Sequence, residues 1–162
     1  MKIHLIPNAH LDPVWLWDWQ EGVTEAVTTF TTVLDLMDRF PELTFIRGES
    51  ALYEHVQKVA PEVFRRVRTM IEAGRWDVVG GTYVQPDTNL SATETLCRHF
   101  EVGLSYFARE LGVRPTVAWQ ADCFGHTAGW PQILHSFGMR SFAYFRPQRF
   151  IYPLDRSAFW WK

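Results

Sequence analysis

Two cysteines in 162 residues, Cys97 and Cys123, cannot build a disulfide framework, and their spacing matches no zinc-ribbon pattern. Long apolar runs are missing: none approaches the roughly 20 residues that a membrane-spanning helix needs. The segment from Met1 to Pro7 is too short for the apolar core of a secretion signal, so the chain reads as soluble and cytoplasmic, with no membrane partner. Basic runs are scarce as well. Sixteen Lys and Arg stand against 18 Asp and Glu, for a formal net charge of -2. The densest run, Arg65-Arg66-Val67-Arg68, has the spacing of a solvated helix face, and no nucleic-acid partner is expected. Repeats, low-complexity segments and linkers are also missing, which leaves one unit over residues 1–162.

What the chain has in quantity is aromatic side chains, at 15% with eight Trp. A domain of this length buries about 70% of its unfolded surface. Its core does not need that many indoles, so some should line a cleft. The hydrophobic pattern alternates between two periods. Ile3 to Pro7 reads as a buried strand, and Gln20 to Phe40 as a helix with Val23, Val27, Phe30, Val33, Leu34 and Met37 at helical spacing. Leu43–Ile46 is a second strand, Ser50–Val59 a helix, and Pro61 opens a third helix that runs to Ala73. Trp76–Val79 is a strand closed by Gly80-Gly81. Thr93–Leu111 is a long helix, Thr116–Ala121 a strand, Pro131–Phe137 a short helix and Ser141–Phe145 a fifth strand. Ala158–Trp161 opens a possible sixth. Alternating strands and helices imply βαβ units and a parallel sheet. The expected class is α/β: a partial parallel β/α barrel, truncated before completion, since a full barrel takes about 250 residues.

Chemistry in parallel α/β folds gathers at the carboxyl ends of strands. Three strings fall there. The first, Asn8-Ala9-His10-Leu11-Asp12-Pro13-Val14-Trp15, puts His10 and Asp12 two apart, hence on one face if extended. One imidazole and one carboxylate suit zinc or a similar divalent ion. The plain alternative is a capped turn before Pro13. The third, Trp119-Gln120-Ala121-Asp122-Cys123-Phe124-Gly125-His126, ends an apolar strand on Asp122, a carboxylate costly to bury unless paired or coordinated; the alternative is a helix cap. His126 reads as a supporting imidazole rather than a ligand. Trp15 and Phe124 suit a flat apolar partner such as a sugar ring. The middle string, Gly80-Gly81-Thr82-Tyr83-Val84-Gln85-Pro86-Asp87, reads as a strand end and wide turn. Its Asp87 either bonds a polyhydroxylated ligand or serves the turn. Arg146 follows the fifth strand and either steadies a carboxylate or faces solvent.

In this order, the strings resemble glycoside hydrolase family 38, the zinc-dependent retaining α-mannosidases. The carriers are His10-Leu11-Asp12-Pro13-Val14-Trp15, Trp119-Gln120-Ala121-Asp122-Cys123-Phe124-Gly125-His126, and Gly74-Arg75-Trp76-Asp77-Val78-Val79-Gly80-Gly81, which is similar to the family's GRWxxxGG segment. The likeness runs from residue 3 to about 150. It implies that His10, Asp12 and Asp122 hold one Zn2+ and that Asp122 is the catalytic nucleophile. It implies further that Trp15 and Phe124 wall the sugar subsite and that Arg146 lies by the nucleophile. The substrate would be a mannose-containing oligosaccharide or glycoside. A retaining site needs a second carboxyl group about 5 to 5.5 Å from the first. Asp87, Asp18 and Glu49 are in-chain candidates with no telling string around them. The family's acid and a further His ligand lie downstream of the matched region, so the chain is expected to be inactive alone. Cys123 and Leu11 stand where many members have Pro and Asn. A metal-dependent deacetylase or amidohydrolase, with Asp122 as base, and a non-catalytic carbohydrate-binding module are the alternatives.

Overall fold

A computed structural model describes residues 2–148, 151, 153 and 156–161. Helix α1 (Trp19–Arg39) opens on Asp18, whose carboxylate accepts from the Gln20 and Glu21 amides, each at 3.1 Å. That cap satisfies two of the helix's orphan donors and starts it slightly before its apolar periodicity does. Its buried stripe is Ala26, Phe30, Leu34 and Met37. There follow β1 (Phe45–Arg47), α2 (Ser50–Val59), α3 (Pro61–Glu72), β2 (Trp76–Val78), α4 (Thr93–Tyr106), β3 (Val117–Gln120), α5 (Trp130–Ser136) and β4 (Ser141–Tyr144). The long fourth helix ends differently from expectation: its last turn, Phe107–Leu111, widens to a π-helical turn, closed by Gly112.

β1 pairs with β2 and β3 with β4, both parallel, in register Phe45 with Trp76 and Val117 with Ser141. The Gly80 amide donates to the Val117 carbonyl at 2.8 Å, which joins the two pairs. Gly80 and Gly81 have φ near +83° and +84°, a region open to glycine at little cost, and the chain turns there from β2 toward α4. The described residues therefore form a mixed α/β unit with short parallel strands, and they close no barrel.

Two expected strands are not formed. Ile3 to Pro7 is irregular, with Ile3, Leu5 and Ile6 exposed. It touches β1 through the Pro7 carbonyl, which accepts from the Ile46 amide at 3.0 Å, and Asn8 Nδ2, which donates to the Ile46 carbonyl at 2.9 Å. Pro7 has no N–H to return, so the ladder does not extend. Ala158–Trp161 likewise carries no strand.

The larger core packs α1, α2 and α3 on β1 and β2. Phe30 meets Tyr53 and Trp76 edge to face, each at 5.2 Å between ring centres, and Trp76 Nε1 donates to the Tyr53 hydroxyl at 2.8 Å. The smaller core gathers Phe100, Leu104, Ala118 and Trp130 beneath β3 and β4. Arg75, of the Gly74-Arg75-Trp76 string, is structural. Its Nη2 donates to the Met37 and Phe40 carbonyls, both at 2.8 Å, and so closes the end of α1. Arg66 of the basic run pairs with Asp35 and Asp38 on α1, as a solvated helix face should.

Candidate active site

The loop 8–18 and the carboxyl ends of β3 and β4 enclose a cleft of about 500 Å³ lined by Asn8, His10, Trp119, Asp122 and Phe145, with Ile6 and Ala121. Trp119 and Phe145 meet edge to face at 5.7 Å and form an aromatic wall. Trp119 thus supplies the cleft-lining indole that the composition suggested, whereas Trp76 and Trp130 are fully buried in the cores.

His10 and Asp12 come together as expected: His10 Nε2 lies 3.2 Å from Asp12 Oδ1, with both side chains partly exposed. Trp17 Nε1 donates to the Asp12 carbonyl at 3.1 Å and folds the loop back on itself. Asp122 sits across the same cleft from His10. Its Oδ1 accepts from Arg146 Nε, so Arg146 steadies a carboxylate rather than facing solvent unpaired. The Arg146 guanidinium also lies 4.7 Å from the centre of the Phe124 ring, a cation–π contact.

His126 supports this pair from behind. Its Nε2 lies 2.8 Å from the Arg146 carbonyl, and because a carbonyl only accepts, that nitrogen carries the proton. Phe142 and Tyr144 flank the ring at 5.0 and 4.9 Å. Burial lowers its pKa from the ordinary value. Cys123, beside Asp122, donates from its Sγ to the Pro86 carbonyl at 3.3 Å, and burial pushes its thiol up to about 12.

Of the remaining expected residues, Phe124 touches this cluster through Arg146 and the others lie apart from it. Trp15 and Phe124 are exposed, at 65% and 72%, so both offer free ring faces. Asp87 does turn work. Its Oδ1 accepts from the Asn89 amide at 3.0 Å and its carbonyl from the Ser91 amide at 3.1 Å. Asp18 caps α1, and Glu49 is buried in an ion pair with Arg47. None of these three carboxylates is among the described residues lining the cleft, which include Asp122.

One imidazole and two carboxylates are the donor types zinc accepts. His10 and Asp12 already converge. Among the described residues, though, no three such side chains form a metal-sized cluster.

The sequence reading passed over Arg47, Gln85 and Gln120, which hold the floor of the cleft. Gln85 Nε2 donates to Glu49 Oε1, and Gln85 Oε1 accepts from the Ala121 amide at 2.7 Å. Gln120 Nε2 donates to the Pro86 carbonyl at 3.3 Å. A usable signal was present: two opposite charges flank Gly48 at the end of an apolar strand, where burial demands pairing.

Fold and site together define a parallel α/β unit with acids and imidazoles at the strand ends, around an aromatic-walled cleft. Residues 1–162 match the sequence model of the Glycosyl hydrolases family 38 N-terminal domain. Alpha-mannosidase 2C1 of Homo sapiens is 35% identical over 140 residues, covering 86% of this chain and 14% of that protein. The alpha-mannosidase of Saccharomyces cerevisiae is 32% identical over 142 residues, covering 87% of this chain and 13% of that protein. The crystal structure of an alpha-mannosidase from Enterococcus faecalis superposes with a TM-score of 0.77 at 23% identity, over 86% of this chain and 16% of that one, a likeness of fold. The chain belongs to glycoside hydrolase family 38. It spans about one seventh of the length of the curated relatives it matches.

Proposed function

We propose that this chain is the nucleophile-bearing part of a retaining α-mannosidase, acting on mannose-containing oligosaccharides or glycosides, in a parallel β/α barrel of which the two sheets form an arc. The observation that carries the reading is that Asp122, paired with Arg146, and His10, paired with Asp12, line one aromatic-walled cleft, in a chain whose named relatives are alpha-mannosidases.

His10, Asp12 and the second oxygen of Asp122 are the groups that would hold Zn2+. When bound, the ion would supply a Lewis acid for sugar hydroxyls. Asp122 would attack the anomeric carbon and form a glycosyl ester as the glycosidic C–O bond breaks and the aglycone oxygen takes a proton from a general acid; water would then displace the carboxylate with net retention. Arg146 keeps that carboxylate aimed, and His126 holds the Arg146 backbone in place. Trp15 and Phe124 present apolar ring faces to the sugar. Asp87, committed to its turn, would contribute only its outer oxygen to a substrate hydroxyl. A retaining reaction also needs a general acid. The family resemblance puts that acid downstream of the matched region, so the chain alone would bind metal and sugar without hydrolysing them.

The test measures zinc binding to the chain by titration. It also measures α-mannosidase activity on a chimera joining the chain to the remaining length of a relative, with Asp122→Asn alongside. One zinc per chain, and hydrolysis that disappears in Asp122→Asn, is the expected result. Zinc binding with no glycosyl adduct on Asp122 would point instead to a metal-activated water. No zinc at all would refute the metal assignment.

A further inference from the structure

Beneath the cleft lies a buried polar relay that no part of the reaction above uses. Arg47 and Glu49 are 1% and 5% exposed, and Arg47 Nη2 lies 2.9 Å from Glu49 Oε2. Each reaches a different wall of the site. Arg47 Nη1 donates to the carbonyl of Ala9, the residue before His10. Glu49 accepts from Gln85, whose own oxygen accepts at 2.7 Å from the amide of Ala121, the residue before Asp122. Tyr53 fixes the relay from the core side: its hydroxyl donates to the Arg47 carbonyl at 3.1 Å.

Two features show that this arrangement is held against a cost. Buried ion pairs add little net stability, because desolvation offsets their attraction. Glu49 also has φ of 55°, and among the described residues it is the non-glycine residue with positive φ. Such backbone is unfavourable for a side chain with a Cβ and persists where surrounding contacts over-determine it. Gly48 beside it is not the residue that takes this conformation.

We infer that the Arg47–Glu49–Gln85 relay is a positioning device that sets the His10 loop and the Asp122 strand end at a fixed separation across the cleft. Resting on the metal reading above, its task is to hold the imidazole and carboxylate donors in register for one divalent ion. The three residues touch neither metal nor sugar; they act through the Ala9 carbonyl and the Ala121 amide. Outer partners of this kind are worth about 10–100-fold in metal affinity.

The experiment uses the full chain and two readouts, zinc affinity by chelator competition and amide hydrogen exchange of residues 8–12. Gln85→Leu removes both Gln85 bonds, and Gln85→Asn, too short to span them, replaces it if the first variant does not fold. Val67→Ala, in the core away from the cleft, reports what general softening does. The expected result is a loss of about 10–100-fold in zinc affinity and faster exchange in the 8–12 segment, which Gln85 itself does not touch. Val67→Ala should lower Tm and leave both readouts unchanged. Unchanged affinity and exchange in the Gln85 variant would overturn the inference, and so would an equal loss in Val67→Ala. If the unaltered chain takes up no zinc, the metal reading falls by itself, and exchange at 8–12 decides whether the relay couples the two walls.

Discussion

Replacing Gly22 with Ala sets two physical effects against each other. A Cβ at position 22 would lie 2.1 Å from the Pro13 carbonyl oxygen and 2.8 Å from its carbon. Comfortable contact is about 3.5 Å, so helix α1 and the loop would have to part by about 1.4 Å. Both partners are backbone, and no rotamer relieves the clash. Helix propensity alone favours Ala over Gly by about 1 kcal/mol. Overpacking costs about 1–3 kcal/mol, and the upper half of that range applies to a backbone-on-backbone contact. The net expectation is a destabilisation of about 1–2 kcal/mol, or a Tm lower by about 2–8 °C. The loop would move as a unit, because Trp17 is bonded to the Asp12 carbonyl. His10 and Asp12 would then shift together relative to Asp122, and zinc affinity should fall about tenfold. Thermal melts followed by circular dichroism, with zinc competition on the same samples, read both numbers. A raised Tm with unchanged zinc affinity would refute the close seating of α1 on the loop.

Phe30→Ala should cost about 3–5 kcal/mol in urea unfolding, because it empties the space between Tyr53 and Trp76. Arg66→Gln should cost less than about 1 kcal/mol, a difference that salt shrinks further, since its pairs with Asp35 and Asp38 are partly exposed. His99 is half-buried, its Nδ1 lies 3.5 Å from the Val84 amide, and burial lowers its pKa. The unfolded chain therefore binds this proton more readily than the folded one. Stability from this group is complete above the ordinary histidine value of about 6.5 and is lost as pH falls through the lower folded value. Unfolding curves between pH 7 and 5 should show that loss, and His99→Gln should reduce it.

Much of this fold could be read from local pattern. The stripe Phe30, Leu34 and Met37 marked α1, Pro61 marked the start of α3, and Gly112 the end of the fourth helix. The failures were non-local. Ile3 to Pro7 has the composition of a buried strand, but a strand needs a repeating ladder of backbone bonds, and the segment reaches β1 only through the Pro7 carbonyl and the Asn8 side chain. At the site, His10 with Asp12 and Asp122 with its aromatic neighbours were legible because costly residues stood at strand ends. Asp87 was ambiguous in sequence, and its carboxylate caps a turn. The partnership of Arg146 with Asp122 was only one of two readings. The relay through Gln85 was not legible, since it joins residues 36 apart in either direction.

The buried thiol of Cys123 has a practical consequence for probing the cleft. Thiolate is the species that alkylating and oxidising reagents meet. With its pKa pushed up to about 12, Cys123 is ionised to about one part in 10⁴ at pH 8. Cys97, on α4, is only partly covered and so open to reagents. A maleimide fluorophore should therefore attach at Cys97 in the unaltered protein, which makes the chain its own singly labelled sensor, with the dye on the outer helix and the cleft left chemically untouched.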